Sequence, residues 1–183
     1  MELVLLHGFD SRPENLDDVV KAIHEALPAV VIRVLTGPVH LASGDWAWWN
    51  DDDESVATVT DALAWIIPQL GPSPVVVAGF SQGAAVALGV AFAGVSAVVG
   101  VGCVGGFVPD DLQPGSLAAP LFIAHGRNDN VVDVFNAESL ARRATRHGAA
   151  VTLALHEGGH AWTAEVTEAF VAWLTPVAWQ TAH

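Results

Sequence analysis

The chain has 183 residues, 52% of them hydrophobic and only 15% charged, with seven lysines and arginines against twenty acidic residues and a net charge of −13. A length of this order buries roughly 70% of the surface that the unfolded chain exposes, so residues 1–183 are expected to form a single domain. The acidity excludes nucleic acid and anionic membrane as partners, since both are bound through basic residues, and the basic residues here form no cluster longer than Arg142-Arg143.

Cys103 is the only cysteine, which rules out an internal disulfide. Set in Val98-Val99-Gly100-Val101-Gly102-Cys103, it reads as a buried structural thiol. Residues Met1 to Leu6 lack the length and basic flank of a secretory signal, and no apolar segment approaches the ~20 residues of a membrane-spanning helix. A cytoplasmic protein is expected.

In chain order, residues 3–6 form an apolar run that breaks at His7-Gly8, a strand emptying into the loop Phe9-Asp10-Ser11-Arg12-Pro13. Leu16, Val19, Val20, Ile23 and Leu27 then share one helical face, and Pro28 ends it. Val30 to Leu35 is a β-branched run that stops at Gly37-Pro38, a second strand. A loop of about fifteen residues follows, long enough to suggest function, holding His40, Asp45, Trp46, Trp48 and Trp49. The acidic run Asn50-Asp51-Asp52-Asp53-Glu54 is expected to open the next helix, where negative charge complements the dipole; its spacing is not that of a calcium loop.

Val75 to Ala78 is the third strand, and helix-forming residues from Gln82 run to about Gly94. Val95 to Val101 is expected as a fourth strand and Leu121 to Ala124 as a fifth. A helix at about 135–147 closes on Gly148, and Val151 to Leu155 is the last strand. Trp162, Val166, Phe170, Trp173 and Leu174 mark a final amphipathic helix. Six apolar runs alternating with helices predict a parallel α/β sheet covered on both faces, with chemistry at the carboxyl ends of the strands.

Gly79-Phe80-Ser81-Gln82-Gly83 sits between the third strand and its helix. A serine on so sharp a turn, with glycine two residues away on each side, has the form of a nucleophile elbow. Its hydroxyl needs a base, and the base an orienting acid. Of eight histidines, His24 and His147 lie in helices, and His183 is terminal. His7 and His125 precede glycines at strand ends, where packing or loop hydrogen bonding explains them. His156 follows its strand too closely to reach far. His160 lies beyond two glycines and is the expected base. Asp129, ahead of Val131-Val132, is the expected acid, with Asp133 the rival that better suits capping the next helix. The backbone N–H groups of Gln82 and Phe9 are the expected oxyanion donors. No metal-ligand cluster is visible, and no cofactor is expected.

Leu6-His7-Gly8-Phe9, the elbow, Gly106-Phe107-Val108-Pro109, His125-Gly126-Arg127-Asn128-Asp129 and Gly158-Gly159-His160 together resemble an α/β-hydrolase of the phospholipase/carboxylesterase group, which includes the acyl-protein thioesterases and is close to dienelactone hydrolases. The order Ser81, Asp129, His160 is that of α/β-hydrolases. The resemblance implies a minimal three-layer sandwich: a six-stranded parallel sheet in order 2-1-3-4-5-6, with no cap domain and no counterpart of the usual first two strands. The second strand is then an exposed edge, open to a dimer contact. Dienelactone hydrolases carry a cysteine nucleophile, so Ser81 argues against that activity.

A small-molecule ester or thioester substrate is therefore expected, taken by a monomer or homodimer. Trp46, Trp48 and Trp49, with Phe107 and Val108 opposite, are expected to wall the substrate pocket, although some of these tryptophans would serve equally to cover the sheet. His40 and Asp45 read as solvated loop residues. Without a lid, small to medium acyl groups fit better than long lipids. The alternatives are acyl-thioester hydrolysis or acyl transfer at the same site, and a binding protein that keeps the pocket without the chemistry.

Overall fold

Six short runs of valine, leucine and isoleucine frame the protein, whose structure, a computed structural model, describes residues 1–50, 52, 55–110, 112 and 119–180. The strands are β1 (Glu2–Leu6), β2 (Val31–Leu35), β3 (Val39–His40), β4 (Trp46–Ala47), β5 (Val75–Phe80), β6 (Val98–Val104), β7 (Leu121–Gly126) and β8 (Val151–His156). The helices are α1 (Asp17–Ala26), α2 (Val59–Ile66), α3 (Gln82–Phe92), α4 (Phe135–Arg146) and α5 (Ala164–Gln180). β2-β1-β5-β6-β7-β8 form one sheet in which every pair is parallel; β3 and β4 form a separate antiparallel hairpin. Counting the sheet strands alone, the order is the expected 2-1-3-4-5-6.

Alternation along the strands divides the apolar core in two. Leu3, Leu5, Val76, Ala78, Phe122 and Ala124 face α1 and α5. Val4, Leu6, Val75, Val77, Leu121 and Ile123 face α2, α3 and α4. On the first face Val166, Phe170 and Leu174, one turn apart along α5, lie against the sheet, with Phe170 meeting Phe122 edge to face at 5.4 Å. On the second, α3 is buried all round because its alanines and glycines let neighbours approach closely. A Cβ at Gly89 would press on Leu63 of α2 at 2.9 Å.

Three elements depart from the sequence-based expectation. β6 begins at Val98, not Val95, because Val95–Ala97 form the turn after α3 and Val98 N–H closes it on Val95 O at 3.0 Å. α2 starts after Thr58, whose hydroxyl accepts from Asp61 N–H while Asp61 Oδ2 accepts from Thr58 N–H, a reciprocal cap. The helix therefore does not open at residues 50–54; Asp51, Asp53 and Glu54 of that run lie outside the described residues. The tryptophan loop also contains the β3–β4 hairpin, which turns through Gly44 at φ 94° and is tied to the first loop by the Ser11–Trp46 bridge. Val31, on the open edge strand β2, is 63% exposed. Among the described residues no helix is long and apolar enough to cross a membrane.

Candidate active site

Parallel winding brings the ends of β1, β5, β7 and β8 to one edge of the sheet. Ser81 is the residue after β5 and stands at φ 55° and ψ −118°, a region that side-chain-bearing residues rarely occupy. The turn is tight enough that a Cβ at Gly83 would overlap the Leu6 and His7 carbonyl oxygens, and one at Gly79 would overlap the Gly83 backbone. Glycine is required at both positions.

His160 lies in the loop after β8, and its Nε2 is 2.9 Å from Ser81 Oγ. Its Nδ1–H donates to Asp129 Oδ2 at 2.7 Å. Asp129, after β7, is 1% exposed at its side chain, and its Oδ1 accepts from the N–H groups of Val131 and Val132, both at 2.9 Å. Burial by itself would raise this carboxyl, but the bonds from Val132, His160 and Val131 outweigh it and hold Asp129 below its ordinary range. The acid and base loops are stitched together: Asn128 N–H donates to Gly158 O, and Asn128 Nδ2 to Glu157 O. A Cβ at Gly126 would overlap the carbonyls of Gly158 and Gly159, so this stitching needs glycine at the end of β7. Phe80 backs the His160 ring at 4.7 Å between centroids. The rival Asp133 accepts from Phe135 N–H at 2.8 Å, at the start of α4.

The N–H of Gln82, the first residue of α3, has no intrahelical acceptor, and Gln82 lines the cleft that holds Ser81. The Gln82 side chain is buried: Oε1 accepts from Trp48 N–H and Nε2 donates to Trp49 O, each at 2.8 Å. Sequence reasoning gave Gln82 only a backbone role and missed this clamp. Phe9 N–H finds no acceptor among the described residues. Its loop is fixed by His7, whose Nδ1–H donates to Gly8 O at 2.7 Å and whose Nε2 accepts from Gly37 N–H at 3.0 Å. Burial pushes the His7 pKa down, against smaller opposing effects of the Gly8 carbonyl and nearby carboxylates.

A cleft of about 590 Å³ opens over Ser81, lined by Phe9, Trp49, Gln82, Phe107 and, on the acid side, Val131 to Asp133 with Asn136. Trp49 and Phe107 meet edge-on at 6.3 Å. The other expected wall residues lie elsewhere. Trp48 is wholly buried, stacked near His7 with its Nε1–H on His7 O at 2.7 Å. Trp46 packs on His40 in the hairpin and Val108 packs against the core, while Asp45, expected only as a loop residue, pairs with Arg12. Asn136 carried no signal in the sequence, because only the placement of α4 turns it to the cleft. Among the described residues no group of histidine, cysteine and carboxylate side chains is gathered to hold a metal.

A parallel sheet wound in this order, with a serine on the strained turn after an inner strand, defines an α/β-hydrolase. Within that class the chain belongs to the phospholipase/carboxylesterase family, whose model matches residues 2–175, and it is a serine hydrolase of the ester-cleaving kind. Solved structures share the fold. The Bacillus cereus carboxylesterase superposes with a TM-score of 0.82 at 22% identity, over 96% of this chain and 87% of that one. Esterase PE8 gives 0.78 at 20%, over 96% and 92%, and Zea mays acyl-protein thioesterase 2 gives 0.72 at 21%, over 96% and 93%. A comparison with curated proteins gave no match.

Proposed function

We propose that the protein hydrolyses small to medium acyl esters through a triad of Ser81, His160 and Asp129 and a covalent acyl-enzyme. The observation that carries this reading is the unbroken line from Ser81 Oγ to His160 Nε2 (2.9 Å) and from His160 Nδ1 to Asp129 Oδ2 (2.7 Å). His160 Nε2 takes the hydroxyl proton as Ser81 Oγ bonds to the ester carbonyl carbon. The carbonyl oxygen becomes an oxyanion, held by the N–H groups of Phe9 and Gln82. Collapse breaks the bond to the alcohol oxygen, which leaves with the proton from His160. Water, deprotonated by the same nitrogen, then attacks the acyl-enzyme and releases the acid. Asp129 keeps its charge throughout and fixes the tautomer with Nε2 bare.

Trp49, Phe107 and Phe9 give the acyl group an apolar wall, and the open mouth suits short chains. The same reading takes residues 1–183 as one domain, working in the cytoplasm as a monomer or homodimer. p-Nitrophenyl esters from acetate to long-chain acids, assayed with the wild type and Ser81→Ala, test the reading; each ester is matched by its acyl-thioester. We expect turnover that peaks at short to medium chains, favours oxygen esters and is lost in Ser81→Ala. Equal rates for the two proteins would sink the proposal, and a thioester preference would move the activity to the thioesterase alternative.

A further inference from the structure

His125, in β7, is 1% exposed, and the steps above give it no part. Its Nε2–H donates to Val132 O at 2.7 Å. The same nitrogen lies 3.2 Å from Asp129 Oδ2, the oxygen that receives His160 Nδ1–H. Val132 is thus held at both ends, its N–H by Asp129 Oδ1 and its carbonyl by His125. The three residues close a ring around the carboxylate.

The ring nitrogen that remains, His125 Nδ1, is buried with no hydrogen-bond partner among the described residues. A buried orphan of this kind is a cost that an apolar side chain of similar volume would not carry. What His125 contributes must therefore come through Nε2. The geometry points to His125 as a positioning residue for the acid: by anchoring Val132 O and laying an N–H along Oδ2, it sets the rotation of the Asp129 carboxylate and shares its negative charge. The inference rests on Asp129 being the acid of the triad.

Two effects follow when that N–H is removed. The carboxylate turns less surely toward His160, which lowers kcat more than it alters KM. The negative charge of Asp129, no longer shared with His125, also bears undivided on the site, so the acid limb of the kcat/KM profile moves to higher pH. The titratable groups facing Asp129 are His125 from β7 and His160 from the loop after β8, while Asp133 at the start of α4 lines the cleft nearby.

The test is the pH profile of p-nitrophenyl butyrate hydrolysis by wild type, His125→Asn and His125→Gln, with Asp129→Asn alongside. A glutamine amide reaches the place of Nε2; an asparagine amide falls short of it. We expect His125→Asn to lose kcat about tenfold with KM within about twofold, and its acid limb to rise by about half a pH unit. His125→Gln should recover the wild-type limb and most of kcat. A wild-type limb and kcat in His125→Asn, or equal losses in the two variants, would overturn the inference. Should His125→Asn fail to fold, His125→Met takes its place, filling the volume without an N–H: a raised limb that His125→Gln does not show supports the role, and a wild-type limb in His125→Met overturns it. An inactive wild type, or wild-type rates in Asp129→Asn, would instead mark failure of the triad reading and remove this inference with it.

Discussion

Ser81 holds a backbone conformation that costs an ordinary residue about 1–3 kcal/mol, and the packing of β5 against α3 maintains it. His7 plays a comparable supporting part on the other side of the cleft, and it makes a prediction about pH. Its Nε2 must be bare to accept Gly37 N–H, and burial keeps its pKa below 6.5. In the unfolded chain His7 binds a proton near pH 6.5, whereas in the folded protein it does so only at lower pH. Its contribution to stability is therefore full above about pH 6.5 and is lost as pH falls toward the folded value. Urea midpoints should decline through this window in the wild type, and less steeply in His7→Gln, whose amide oxygen accepts the same N–H without titrating. A slope unchanged by the substitution would contradict the account. Asp129 acts in a separate window: held below the ordinary carboxyl range, it stabilises above about pH 4 and loses that contribution as pH falls through its folded value. Cys103, wholly buried and pushed up to about 12, remains a thiol at neutral pH. Thiol reagents should leave native activity untouched; rapid inactivation through Cys103 would count against its buried placement.

At the scale of elements, the side chain of Gln82 ties the start of α3 to the backbone of Trp48 and Trp49. Gln82→Ala removes both partners and leaves a buried N–H at Trp48 and a part-buried C=O at Trp49 unpaired, each worth roughly 1–3 kcal/mol. For a chain of this length, the two together correspond to a fall in Tm of about 4–24 °C. KM should rise as Trp49 loosens, and calorimetry with a KM measurement checks both; an unshifted Tm would refute the clamp. The strands and helices that surround the site were readable because Val, Ile and Leu runs stop abruptly at His7-Gly8, Ser81, Gly126 and His156. Ser81, Asp129 and His160 could be singled out because each follows such a stop. Element starts were harder. The run from Val95 to Val104 is apolar but for Ser96, and its first strand residue is set by pairing of Val98 with Val75, a tertiary contact. The start of α2 did have a local signal, Thr58 three residues before Asp61, overshadowed by the acidic run before it. Of the three tryptophans, Trp49 alone borders the cleft, because the Gln82 clamp and the hairpin direct the other two away, and both are tertiary features.

On the scale of the whole molecule, the sheet order places nucleophile, acid and base on one edge, and the rest of the surface is strongly acidic. A net charge of −13, with Asp133 at the cleft itself, repels anionic substrates. Esters bearing a second, ionised carboxyl should show kcat/KM well below neutral esters of equal length. The gap should narrow as ionic strength rises, because screening shortens the field. A gap independent of salt would place the discrimination in steric fit instead. The central claim concerns Ser81, and the most direct measurement is the mass of the protein quenched by acid during turnover of p-nitrophenyl butyrate, followed by peptide mapping. A butyryl adduct on the peptide containing Ser81, absent from Ser81→Ala, is the predicted result. Turnover with no adduct at Ser81, or an adduct that survives in Ser81→Ala, would contradict it.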